Sequence, residues 1–157
     1  MSVNQAEADD QPAVGGIIEM PAFQTVDLDG NQIDESIFAQ ADVTVVNVWG
    51  TFCPPCIEEM PELAEWSKEL PENVQIIGLV VDVSDTEQPE YQTALDLVAE
   101  SDITYTNILA TQEFGELFEH LIGVPTTLFV GPDRSFIHEE IVGADVQGCK
   151  RTVEDLL

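Results

Sequence analysis

Apolar and polar positions along the chain fall into two alternating rhythms. Val43-Thr44-Val45-Val46-Asn47-Val48-Trp49 is a nearly continuous β-branched run, and Val74 to Val83 is another. Runs of that kind suit strands buried on both faces of a sheet. Between them, Cys56, Met60, Leu63 and Leu70 recur on one face of a helix running from Cys53 to about Leu70. Pro54 and Pro55 fit its first turn, where missing N–H groups go unmissed, and Pro61 should remove a ladder bond and kink it. Tyr91, Ala94, Leu95 and Val98 predict a second helix, and Phe114, Leu117, Phe118 and Leu121 predict a third that ends near Gly123. Val146, Cys149, Val153 and Leu156 predict a last one.

The remaining segments read as strands and turns. Phe23 to Leu28, the turn Asp29-Gly30-Asn31 and the return at Gln32-Ile33 form an N-terminal hairpin. Asp34 or Glu35 opens a short helix carrying Ile37 and Phe38. Ile103 to Leu109 is a weaker strand. Thr126 to Val130, the turn 131–134 and Ser135 to Val142 form a second hairpin. Strands alternating with helices, then a hairpin and a helix, predict an α/β domain with a central mixed sheet flanked by helices. Residues 1–20 are polar and acidic with Gly15-Gly16 and read as a flexible tether, leaving 21–157 as the domain.

Composition narrows the chemistry. The chain of 157 residues carries 31 acids against 4 bases, a net charge of −27, so phosphate backbones are repelled and nucleic acid is excluded as a partner. The acidity reads either as solubility in a salty or acidic habitat or as steering toward basic protein substrates, and solubility needs no partner. No apolar run is long enough to span a bilayer, and the first 20 residues lack the basic and apolar regions of a signal peptide. Three cysteines are too few for a disulfide scaffold and suit one redox pair plus one spare.

That pair is Cys53-Pro54-Pro55-Cys56, placed where a strand feeds a helix. Unpaired N–H groups and the dipole at a helix N-terminus favour a thiolate at the first sulfur, and thiolate is the form that attacks disulfides. Cys53 reads as the nucleophile at the exposed tip and Cys56 as the inward, resolving sulfur. The same two cysteines would also serve a structural bridge or half of a zinc site. Zinc needs two further ligands, and the only histidines, His120 and His138, are not a ligand-spaced pair. Cys149 falls on an apolar helix face and reads as a small core hydrophobe rather than a third redox thiol. Trp49 reads as part of the platform around the sulfurs, and Trp66 as packing. The prolines remove donors near Cys53 while the helix dipole opposes them, so the reduction potential stays open at this level.

The segments Val48-Trp49-Gly50-Thr51-Phe52-Cys53-Pro54-Pro55-Cys56, Glu58-Glu59-Met60-Pro61 and Gly123-Val124-Pro125-Thr126-Thr127-Leu128-Phe129-Val130, with the hairpin from Phe23 to Ile33, resemble thioredoxin-fold redoxins of the TlpA/ResA type. The resemblance covers about residue 21 to the end. It implies a thioredoxin-like fold with an extra N-terminal β-hairpin. It also implies a thiol–disulfide oxidoreductase working outside the cytoplasm, of the kind that serves cytochrome c maturation. No cofactor beyond the Cys53–Cys56 pair is implied. Expected partners are protein disulfides, among them cytochrome c apoprotein, and a membrane electron donor of the DsbD/CcdA kind, with the chain itself a monomer.

By the same resemblance, Pro125 follows a cis bond facing the dithiol, whereas the bare sequence favours trans. Val124 then offers its backbone to an extended substrate, with Trp49, Pro54 and Pro55 beside it. Glu59 is implied to tune the dithiol by accepting the Cys56 proton. Read only as a residue, it is one solvated acid among Glu58, Glu62 and Glu65. Thioredoxin itself has an Asp six positions before its first Cys; Asn47 stands there and cannot titrate. The rivals on the same sequence are a disulfide oxidase or isomerase, a peroxiredoxin-like peroxidase and a redox-sensing or metal-binding module. The peroxidase pattern wants Thr where Gly50 stands, and an arginine nearby.

Overall fold

Seven strands and four α-helices make up the computed structural model, which describes residues 11–157. The central sheet has the strand order β5-β4-β3-β6-β7. At its heart lies β3 (Val43–Trp49), all seven residues of which are buried. It runs parallel to β4 (Val74–Val80), which runs parallel to β5 (Asn107–Leu109). On the other side β3 pairs antiparallel with β6 (Thr126–Val130), which pairs antiparallel with β7 (Phe136–Val142). A strand hemmed in on both sides and covered on both faces has to be apolar throughout, hence the β-branched run.

The parity of β3 sorts the core. Val46 and Val48 face a cluster with Phe23, Phe38, Ile77, Phe114 and Leu128. Val43, Val45 and Trp49 face the opposite layer, formed by α1 (Pro54–Ser67) and α4 (Val146–Leu156). The parallel strands are joined by α1 and by α2 (Pro89–Glu100), and α3 (Gly115–Glu119) precedes β6. β1 (Gln24–Val26) and β2 (Gln32–Asp34) form a separate antiparallel hairpin docked on β5, with Thr25 Oγ1 donating to the Leu109 carbonyl at 2.8 Å.

Several boundaries differ from the sequence reading for local reasons. α1 stops at Ser67 rather than near Leu70, because the residue before Pro71 avoids the helical region. Pro61 sits within it without ending it. The third helix is a single 3₁₀ turn, Gln112–Phe114, followed by only five α residues. β4 ends at Val80, where its pairing with β5 runs out.

The tether reading is corrected for residues 11–20; residues 1–10 lie outside the described part. Val14 and Met20 are buried in the first cluster, and Ile17 packs against it. Apolar side chains at 14, 17 and 20 hold this segment to the domain. The Met20 N–H donates to the Arg134 carbonyl at 2.8 Å, and the Phe136 N–H to the Ile18 carbonyl at 2.9 Å.

Gly78 in β4 makes room for a buried bond. Trp49 Nε1–H donates to Asn107 Oδ1 at 2.9 Å, and a Cβ at Gly78 would overlap that oxygen. Gly78→Ala is expected to destabilise the fold by about 2–3 kcal/mol, combining overpacking with the lost buried bond. Urea unfolding followed by tryptophan fluorescence checks this.

Candidate active site

The chain leaves β3 at Trp49 and turns through Gly50-Thr51-Phe52 into α1. Asp82, just beyond β4, holds that turn by accepting from the Thr51 N–H at 3.1 Å and from its hydroxyl. Cys53 is the N-cap of α1, with extended backbone. Pro54 and Pro55 follow and carry no N–H. The first helix N–H able to donate is that of Cys56, which reaches Cys53 Sγ at 3.3 Å.

Cys53 and Cys56 are joined in a disulfide, with their Cα atoms 5.3 Å apart. Cys53 is not the exposed tip expected from sequence, since the residue is only 5% accessible. The Phe52 ring and the Val124 loop stand around it. The order of the sulfurs nevertheless holds. Cys53 lines a cavity of about 530 Å³ with Phe52, Pro54, Pro55, Val81, Phe118, Leu121 and Val124, and Cys56, fully buried, does not.

The Val124–Pro125 peptide bond is cis. Cys53 Sγ lies 3.5 Å from the Val124 carbonyl oxygen, which stands ready to accept an S–H when the pair is reduced. The Val124 N–H makes no backbone hydrogen bond within the described chain. Phe52, Ile122 and Val142 are exposed large hydrophobics at this same end of the sheet, Val142 pairing with Thr126 just after Pro125. An apolar rim thus surrounds the sulfurs on an acidic surface.

Trp49 does not reach that rim, which corrects its placement as a substrate contact. It is fully buried, because odd positions of β3 point into the layer under α1, and it supports the sulfurs from below in the cluster that holds Cys53, Cys56 and Met60. Pro54 and Pro55 are exposed at the mouth.

Glu59 is 8% accessible, not a solvated acid. It sits one turn after Cys56 on the buried face of α1. Burial first, then the charges of Glu62 and Asp145, push its carboxyl up to about 7. Glu59 also acts on its neighbours. The Cys149 thiol is pushed up to about 11 by burial, with Glu59 and Asp145 adding to it and a hydrogen bond from Thr127 opposing. The Tyr105 hydroxyl is raised by burial and by Glu59. Thr127 stands opposite Asn47 in the β3–β6 register, and the buried Asn47 Oδ1 has no partner. Among the described residues no hydrogen bond joins Glu59 to either sulfur of the disulfide. The sequence held a signal for this underside: an acid and an amide at positions of two strongly apolar patterns.

Two sulfurs able to close and open, one facing a cavity and one beneath it beside a proton-holding carboxyl, can pass electron pairs to and from disulfides. No group of three His, Cys, Asp or Glu residues spaced for a metal ion occurs among the described residues. No helix there is long and apolar enough to cross a membrane.

A profile of the Redoxin family matches residues 18–153. The chain belongs to the Redoxin family. Among curated relatives, this redoxin is 31% identical over 124 residues to the thiol-disulfide oxidoreductase ResA of Bacillus thuringiensis, covering 77% of this chain and 66% of that protein. It is 27% identical over 129 residues to the sporulation thiol-disulfide oxidoreductase A of Bacillus subtilis, covering 80% and 70%. The thioredoxin domain of a thiol-disulfide oxidoreductase from Bacteroides vulgatus superposes with a TM-score of 0.70 at 22% identity, over 92% of this redoxin and 97% of that domain. The central mixed sheet, its flanking helices and the added N-terminal hairpin are therefore a thioredoxin-like fold.

The raised Glu59 carboxyl makes stability fall as pH rises. Below about pH 4.5 the group is neutral in both states; between 4.5 and 7 the unfolded chain releases its proton first; above 7 the full cost is present. Glu59→Gln should therefore leave stability unchanged at pH 4 and raise it at pH 8 by about 1–3 kcal/mol, allowing for solvent screening. Denaturant unfolding of the oxidised protein across this range measures the difference.

Proposed function

We propose that this redoxin is a thiol–disulfide oxidoreductase that reduces disulfides in other proteins outside the cytoplasm. The observation that carries the reading is the closable Cys53–Cys56 pair at the start of α1, with only Cys53 opening onto a cavity. In the reduced protein the Cys53 thiolate attacks a substrate disulfide. One substrate thiolate leaves and a mixed disulfide forms. Cys56 then gives up its proton and attacks Cys53 Sγ. The second substrate thiolate leaves, the Cys53–Cys56 bond closes, and two electrons have passed to the substrate.

Glu59, with its carboxyl at about 7, is suited to receive the Cys56 proton at neutral pH. The unpaired Val124 N–H and its carbonyl, held by cis Pro125, are suited to an extended substrate strand lying across the cavity. The apolar cavity walls receive the side chains beside the substrate cysteine.

The reductant reading is supported by how few groups would hold a Cys53 thiolate. Cys53 Sγ accepts one N–H, from Cys56, because both prolines lack theirs. Neither ion pair of the described chain, Lys68–Asp102 or Arg134–Glu19, involves the dithiol. A reduced form with little thiolate stabilisation favours the disulfide, which makes the pair a reductant. A membrane dithiol donor of the DsbD/CcdA kind would recharge it. Cytochrome c apoprotein is the substrate that the family resemblance suggests, and the chain would act as a monomer. An oxidising compartment suits a pair that works by closing.

The reduced protein should precipitate insulin by cutting its interchain disulfides. Cys53→Ser should abolish this, and Cys56→Ser should accumulate a covalent adduct through Cys53, seen by mass spectrometry. No adduct on Cys53 ends the reading. Equilibration with glutathione should place the pair more reducing than about −240 mV, within the range of cytosolic glutathione; a value near −120 mV would make it an oxidase.

A further inference from the structure

The loop that carries Val124 is tied at its far end, where Thr126 Oγ1 donates to the Gly123 carbonyl and the Gly143 N–H donates to the Pro125 carbonyl at 2.8 Å. α3 ends at Glu119, and the chain runs through the exposed Ile122 and Gly123 before it re-enters the sheet at Thr126. What lies against its start is the N-terminal strap. Val14 and Ile17 exchange backbone hydrogen bonds at 2.8 and 3.0 Å around Gly15 and Gly16, whose φ angles are +56° and +88°. Two consecutive positive φ values make a type I′ turn, which glycine enters without strain. The tip of that turn touches His120, for a Cβ built on Gly15 would come within 2.5 Å of the His120 side chain. Val14 and Ile17 share one apolar cluster with Leu117, Phe118, Leu121 and Val124. Phe118, Leu121 and Val124 are also walls of the cavity over Cys53.

We propose that the strap from Val14 to Met20 is a positioning element of the active site, setting the Val124 loop through the fit of Gly15 against His120. Its far end is fixed at the opposite end of the sheet. There Met20 and Ile18 bond to Arg134 and Phe136, and Glu19 pairs with the Arg134 guanidinium at 2.6 Å. The strap thus spans the domain from the β6–β7 turn to the substrate loop. A shift at the Gly15 turn moves His120, then Leu121 and Val124, the residue whose backbone a substrate strand would meet. Cys53 caps α1 and Cys56 lies in its first turn, so both stay where they are. Gly15 and His120 touch neither sulfur and act on selection of the substrate rather than on electron transfer.

The inference rests on the oxidoreductase reading, and its test separates the two. Gly15→Ala should lower kcat/KM for insulin by about ten-fold, as expected for a misplaced substrate loop, while the glutathione-determined potential stays unchanged. Positive φ alone would strain an alanine there, so the decisive measurement is the same substitution in a His120→Gly background. With the imidazole gone the alanine methyl has room, and most of the ten-fold loss should vanish; coupling of that kind marks a direct contact. An equal loss in both backgrounds, or no loss in either, overturns the proposal. Amide hydrogen exchange at Leu121 to Val124, read by NMR, gives a second measurement that needs no activity. It should quicken in Gly15→Ala and return in the double variant, and unchanged exchange likewise overturns the proposal. A parent protein inert toward insulin would instead count against the oxidoreductase reading and leave the exchange result to decide the strap.

Discussion

The N-terminus of α1 must satisfy backbone N–H groups that a helix cannot satisfy internally, and it does so around a sulfur. Two prolines remove donors at the first positions, and the next N–H, that of Cys56, points at Cys53 Sγ. The atom that caps the helix is the atom that exchanges electrons. The rest of the site follows from that junction. β3 delivers the cap because it is locked on both sides, by β4 and by β6. β6 also begins directly after cis Pro125, so the strand that anchors β3 holds the Val124 carbonyl 3.5 Å from the same sulfur. One strand pairing positions both Cys53 and the Val124 loop.

The layer under the dithiol is less economical. A buried carboxyl is costly, and Glu59, Asn47 and Thr127 bring polar atoms to a face otherwise made of Val43, Val45, Leu63 and Phe129. Packing alone would prefer apolar residues at those positions. Under the proposed mechanism the cost has a use, since a proton would be taken up and released next to Cys56, which is fully buried. Asn47 cannot do this, whatever its position. Glu59 can, since its carboxyl is poised near neutrality by the burial that makes it costly.

Much of this was legible in the chain. The β-branched runs gave β3 and β4, the prolines and the CxxC spacing gave the start of α1, and the apolar positions 146, 149 and 153 gave the buried face of α4. What escaped had its cause in distant partners. Trp49 read as part of the platform around the sulfurs and a substrate contact, yet its N–H belongs to Asn107, a residue brought beside it only by the crossover to β5. Residues 11–20 looked like a tether because they follow an acidic stretch and contain Gly15-Gly16, while the residues that dock them, at 14, 17 and 20, match no strand alternation and straddle a glycine pair that argues against a helix. Glu59 could not be told from its exposed neighbours by composition. Its place one turn after Cys56, within the stripe that continues through Met60 and Leu63, was the available clue.

The large negative charge bears on this chemistry less than its size suggests. At physiological salt, charges separated by more than about 8 Å of solvent are screened. Most of the 31 acids are therefore a matter of solubility and self-repulsion, not of sulfur chemistry. The carboxylates that act across the protein interior are few: Glu59 itself, with Glu62 and Asp145 raising it. Each disfavours a further negative charge in that layer, and a Cys56 thiolate would be one. Were Glu59 to take the Cys56 proton, one charge would vanish as the other formed, and the net negative charge beneath Cys53 would stay constant through that transfer; it would fall by one only when the substrate thiolate carries the charge away. In the proposed mechanism a buried acid beside a thiol would thereby lower the electrostatic cost that the surrounding acids impose on forming the thiolate.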